Sequence, residues 1–185
     1  DIIGYSELLR SYQKPFDLIK MKVDLFEEFG SNFYGKYILD KVLHNGLDPS
    51  YEVMDKANAK LIFLIREPIG YIKSLIKLGK RTGEEKYTRT QFAVKHYIQR
   101  LQQLEFMATN FDRPYFFIDS DQLVKDTTPI LAELSQFLEL ASPLTPEYQK
   151  FQKPGARSSG DSSEHIKAGV ITETTSDGLN SAPHD

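Results

Sequence analysis

Arg66 and Ser74 stand eight residues apart in the stretch KLIFLIREPIGYIKS (60–74), just after a five-residue apolar run from Leu61 to Ile65. A guanidinium offers a fixed fork of N–H donors that matches two phosphate oxygens at once, and a serine hydroxyl can share the same anion. An apolar run of strand length that meets a charged residue and then a helical pattern predicts a buried parallel strand feeding a helix. Ligands in open α/β sheets collect outside the carboxyl ends of the strands, which is where Arg66 leaves the sheet. Pro68 suits the first helical turn and not a strand ladder, so Ser74 falls about two turns into the helix, close enough to share an anion with Arg66. The bland alternative pairs Arg66 with Glu67 or another nearby carboxylate and leaves Ser74 as an ordinary helix residue.

The elements that must carry this pair follow from periodicity. Apolar residues at helical spacing over Ser6 to Phe29, interrupted at Pro15, predict two helices. Tyr37 to Leu39 supplies a short strand, and Ser50 caps a helix over Tyr51 to Ala57. The strand Lys60 to Ile65 leads into a helix from Pro68 to Leu78, closed by Gly79. Thr88 to Met107 is the longest periodic segment and predicts an amphipathic helix covering one face of the sheet. Tyr115 to Ile118 is a third, aromatic-rich strand, and Thr128 with Pro129 opens a helix ending near Leu140. Strands alternating with helices give an α/β fold with a mainly parallel sheet; with three strands in view, one central strand is expected to be missing.

Composition bounds the function classes. The 185 residues fit one domain, and 40% hydrophobic with 26% charged residues is ordinary for a soluble globular chain. A net charge of -3 gives no global reason for nucleic-acid binding, so any anion site must be local. The absence of cysteine excludes disulfides and thiolate chemistry, and the four histidines, at 44, 96, 165 and 184, are too scattered to suggest a metal site. With no apolar run approaching the roughly 20 residues of a membrane span, the expectation is a cytoplasmic protein with no membrane partner.

The pattern R-x-P-x-x-x-x-x-S after a buried strand resembles the 3'-phosphate-binding segment of sulfotransferases that use 3'-phosphoadenosine 5'-phosphosulfate (PAPS). Three further segments resemble that family in the same order. KYILDK (36–41) is similar to its strand ending in a lysine before the acceptor site. PYFFIDSDQLV (114–124), with Lys125, Asp126 and the FLGL-like Phe137, Leu138, Glu139 and Leu140, is similar to its late strand, acidic turn and helix. GDSSEHIKAGVI (160–171) is similar to the late loop of bacterial members. The resemblance implies a P-loop NTPase-like three-layer fold. It also implies transfer of a sulfuryl group from PAPS to a hydroxyl or amine, small or carrier-bound, with 3'-phosphoadenosine 5'-phosphate as product.

By resemblance Arg66 and Ser74 hold the 3'-phosphate, Lys41 lies near the reacting centre, and His44 is the candidate base. His44 follows Lys41 by three residues where the cytosolic pattern has two, and Lys41 has an equal alternative as a solvated lysine beside Asp40. Arg157, Gly160 and Lys167 belong to the cofactor loop, which divides the chain into a sulfotransferase-like domain (1–153), that loop (154–171) and a tail with little to bury (172–185). Lys73, Lys77, Lys80 and Arg81 form a basic stripe that could attract an anion or simply be solvated. The glycine-, serine- and threonine-rich loop that cradles the 5'-phosphosulfate in the family has no counterpart before Lys36. Two explanations remain open: the chain is a piece of a longer protein, or it lacks the half of the site that performs transfer. Alternatives to the enzyme are a non-catalytic sulfotransferase-like module and a P-loop kinase-like enzyme.

Overall fold

In the computed structural model, which describes residues 2–4, 11–42, 47, 49–148 and 169–171, strands and helices alternate along the chain. Strand β1 (Ile2–Gly4) is followed by helix α1 (Pro15–Phe29), a 3-10 turn (Gly30–Phe33) and strand β2 (Tyr37–Leu39). Helix α2 (Tyr51–Lys56) leads to strand β3 (Leu61–Ile65), which feeds helix α3 (Pro68–Thr82), the single turn α4 (Glu85–Thr88) and the long helix α5 (Thr90–Asn110). Strand β4 (Tyr115–Asp119) and helices α6 (Ser120–Lys125) and α7 (Thr127–Phe137) follow. The fold is mixed α/β, and the four strands among the described residues pair in parallel as two two-stranded sheets, β1 with β2 and β3 with β4.

Alternation along the strands decides which helix covers which face. Phe63 of β3 packs with Met54, Met107 and Phe111, so α5 lies against one face of the β3–β4 pair. Ile118 of β4 packs with Leu131, Leu134 and Leu138, joined by Ile62 and Phe116, so α7 covers the other face. A third cluster of Tyr12, Met21, Leu25, Phe33 and Val53 lies under β1 and β2 through Ile3 and Ile38. Ile2, on the opposite side of β1, packs into the α7 cluster. Adjacent residues of one short strand thereby tie the two pairs of strands together.

Several boundaries differ from the sequence reading, which has three strands and no β1. Residues 11 to 14 are not helical, and the rest of the first of the two predicted helices lies outside the described residues. Pro15 opens α1, and the Asp17 carboxylate accepts the backbone N–H groups of Gln13 (3.0 Å) and Lys14 (2.9 Å), which fixes the entry as a cap. The α3 helix does not stop at Gly79 but continues to Thr82 and ends at Gly83, whose φ of 76° is the left-handed conformation that suits glycine.

Gly79 has a different role. It is buried where α4 crosses α3, and a Cβ built on it would lie 2.7 Å from Tyr87 Cβ and 3.0 Å from both the Glu84 carbonyl oxygen and the Thr88 nitrogen. Two of those neighbours are backbone and cannot swing aside. Gly79→Ala is therefore expected to lose about 1–2 kcal/mol in urea unfolding, because overpacking outweighs alanine's better helix propensity. A stabilised variant would show that α4 is free to move off α3.

The end of α7 organises the late part of the chain. Glu139 adopts φ 55°, the left-handed position where the FLGL-type pattern has glycine, and Lys60 Nζ donates to its Oε1 at 2.7 Å. The buried Ser135 hydroxyl donates to the Leu131 carbonyl (2.6 Å) and accepts the Leu144 N–H (2.8 Å), pinning the chain after α7 back onto the helix. Beyond it, an antiparallel bridge joins Glu147 to Val170, with Tyr148 N–H donating to the Gly169 carbonyl at 2.9 Å. Residues 148 and 169 are thus side by side, next to the α7 core that Leu144 and Ile171 join.

Candidate functional site at the β3–α3 junction

The β3–β4 register brings Ile65 opposite Asp119, so the chain leaves both strands at the same level, through Arg66 on one side and Ser120 on the other. Each exit is followed by a helix whose first N–H groups need acceptors. Glu67 caps α3: its Oε2 accepts the Ile69 N–H at 2.8 Å, and its Oε1 accepts the Gly70 N–H. Asp119 caps α6 by accepting the N–H groups of Asp121 (2.8 Å) and Gln122 (3.0 Å). Both acids at the strand ends are engaged by backbone amides.

That leaves the guanidinium. Among the described residues, Arg66 forms no ion pair and its side chain makes no hydrogen bond, so pairing with Glu67 is not what the structure contains. Its Nε lies 3.2 Å from where a Cβ on Gly70 would be, which places the side chain across the first turn of α3. Gly70 and Ser74, four residues apart, share one helix face. Ser74 is the seventh residue of α3, exposed, with no side-chain partner among the described residues. The Glu67 carboxylate lies over Gly70 beside the guanidinium, its Oε1 2.5 Å from where a Cβ would be, so a side chain at position 70 would displace the cap. Lys73, Lys77, Lys80 and Arg81 are exposed on the same side of the helix.

α5 holds the loops after β2 and β3 with two side chains one turn apart. The Tyr97 hydroxyl donates to the Arg66 carbonyl at 2.8 Å, and Arg100 Nη2 donates to the Val42 carbonyl at 2.9 Å. Burial, reinforced by the negative charges of Glu67 and Asp119, pushes the Tyr97 phenol above its ordinary range, so it stays a donor. Its ring packs on Tyr71 at a centroid distance of 4.9 Å, and the Tyr71 hydroxyl meets His96 Nδ1 at 2.8 Å. Burial raises the Tyr71 phenol too, with Arg100 acting in the opposite direction.

Lys41 is exposed two residues beyond β2, in the segment that Arg100 anchors. The Asp40 carboxylate beside it accepts the Tyr12 hydroxyl at 2.7 Å. His44, Arg157, Gly160 and Lys167 lie outside the described residues. Tyr34 and Phe106 are 65% and 56% exposed, so neither is a core residue, whereas Tyr97 is half-buried. Sequence reasoning missed Glu67 as a cap, and Tyr97 and Arg100 as anchors. A carboxylate directly before Pro at a helix start was the available signal for Glu67; the other two depend on tertiary contacts.

No family model and no curated protein matches the chain. Among solved structures, the sulfotransferase domain from the curacin biosynthetic pathway matches with a TM-score of 0.46 and 20% identity, over 69% of this chain. The chain spans half the length of that domain's chain, and a likeness at this level fixes neither family nor chemistry. Among the described residues, no helix is long and apolar enough to cross a membrane.

Proposed function

We propose that this chain is the donor-binding part of a sulfotransferase that moves a sulfuryl group from PAPS to a hydroxyl or amine acceptor. The observation that carries the reading is an exposed guanidinium just before α3 and an exposed hydroxyl two turns into it, neither partnered among the described residues, at the end of a parallel strand. Arg66 would take two oxygens of the donor's 3'-phosphate and Ser74 would donate to a third. In the reaction the acceptor atom bonds to sulfur as the bond from sulfur to the phosphate oxygen breaks, and the acceptor's proton passes to a base. Lys41 is the group proposed to meet the negative charge on the departing oxygen, His44 is the proposed base, and Arg157, Gly160 and Lys167 are the proposed loop over the nucleotide.

Calorimetric titration with 3'-phosphoadenosine 5'-phosphate and, in parallel, with adenosine 5'-monophosphate tests the clamp. The expected result is saturable binding of the first and at least tenfold weaker binding of the second. No heat with millimolar 3'-phosphoadenosine 5'-phosphate would sink the reading. A second reading, a binding module without turnover, is favoured by one observation: Tyr5 to Arg10, directly after β1, contains no glycine and only one hydroxyl-bearing aliphatic side chain to cradle a 5'-phosphosulfate. Release of product from PAPS on adding a phenol or amine separates the two.

A further inference from the structure

We infer that Tyr97 is a positioning residue for the anion clamp, acting through the backbone of Arg66; this rests on the donor-site reading above. Arg66 belongs to neither β3 nor α3, so neither strand ladder nor helix ladder fixes its peptide. The bond from the Tyr97 hydroxyl to its carbonyl, at 2.8 Å, supplies that restraint from α5. The phenol is itself held: its ring packs on Tyr71, and Tyr71 is tied through its hydroxyl to His96, the residue of α5 just before Tyr97. A carbonyl turned toward α5 sets the direction in which the Arg66 side chain departs, over the first turn of α3, where its Nε lies beside Gly70.

Tyr97→Phe removes the hydroxyl and keeps the ring against Tyr71. Because the Arg66 carbonyl is close enough to solvent for water to replace the phenol, the melting temperature is expected to stay within a degree or two of wild type. Affinity for 3'-phosphoadenosine 5'-phosphate is expected to fall about 5- to 10-fold, the range of one neutral hydrogen bond. Affinity for adenosine 5'-monophosphate, which lacks the clamped phosphate, should change less than about twofold. A purely structural role would move both affinities together or lower the melting temperature.

The decisive arm repeats Tyr97→Phe in an Arg66→Lys background. If Tyr97 works through Arg66, its effect should shrink to less than about twofold there, because coupled residues are not additive. Equal losses in both backgrounds, or equal losses for both nucleotides, overturn the assignment while leaving the donor site intact. Wild-type protein with no preference for the 3'-phosphate removes the donor-site reading, and this inference with it.

Discussion

Arg66→Ala is expected to weaken binding of 3'-phosphoadenosine 5'-phosphate by roughly 30- to 300-fold, corresponding to the loss of two charge-assisted hydrogen bonds. The same substitution should leave adenosine 5'-monophosphate binding within about twofold and the melting temperature essentially unmoved. The last expectation follows from the structure, since the Arg66 side chain is exposed and makes no ion pair or hydrogen bond with any described residue. Arg66→Lys should fall between, because an ammonium keeps the charge and loses the two-pronged fit. Ser74→Ala should lose only about 3- to 10-fold, as one neutral donor of a shared anion. Unchanged affinity in Arg66→Ala, measured by calorimetry, would remove the phosphate from this strand end.

The β3–α3 junction was legible from sequence because its signals are local. A buried run, a charged residue and Pro68 in the first turn together fix strand, exit and helix within about ten residues, and Ser74 follows from helical rise. The same locality misled at Gly79, where a glycine in a helical pattern looks like a terminator and is instead a contact with α4. β1 was invisible for the opposite reason: three residues carry too little pattern, and its strand character comes from a partner at Tyr37–Leu39, far along the chain. Glu67 illustrates how a pairwise guess fails. Opposite charges adjacent in sequence suggest an ion pair, but the unsatisfied amides at the start of α3 are nearer and fixed, and they take the carboxylate. Tyr97 was readable as a member of the α5 apolar stripe; the bond from its hydroxyl to Arg66 spans thirty-one positions and leaves no trace in periodicity.

Leu25→Ala is expected to cost about 2–5 kcal/mol in urea unfolding, the largest stability loss of any single truncation proposed for this chain. Leu25 is 1% exposed and stands at the centre of the cluster formed by Tyr12, Met21, Phe33 and Val53. Its neighbours come from α1, the 3-10 turn, α2 and the segment before α1, so no single flexible element can close over the vacated volume, and the cavity term should add to the lost transfer energy. The cluster also supports Ile38 of β2, and Tyr12 within it donates to Asp40, next to Lys41. The two halves of the proposed site should therefore respond differently. Below the melting temperature, Leu25→Ala should raise hydrogen exchange at Tyr37 to Leu39 while leaving Phe63 to Ile65 protected, because β3 rests on the separate Met54, Met107 and Phe111 cluster. Equal loss of protection in both strands would mean that the three clusters melt as one unit and that the clamp depends on the α1 core as directly as β2 does.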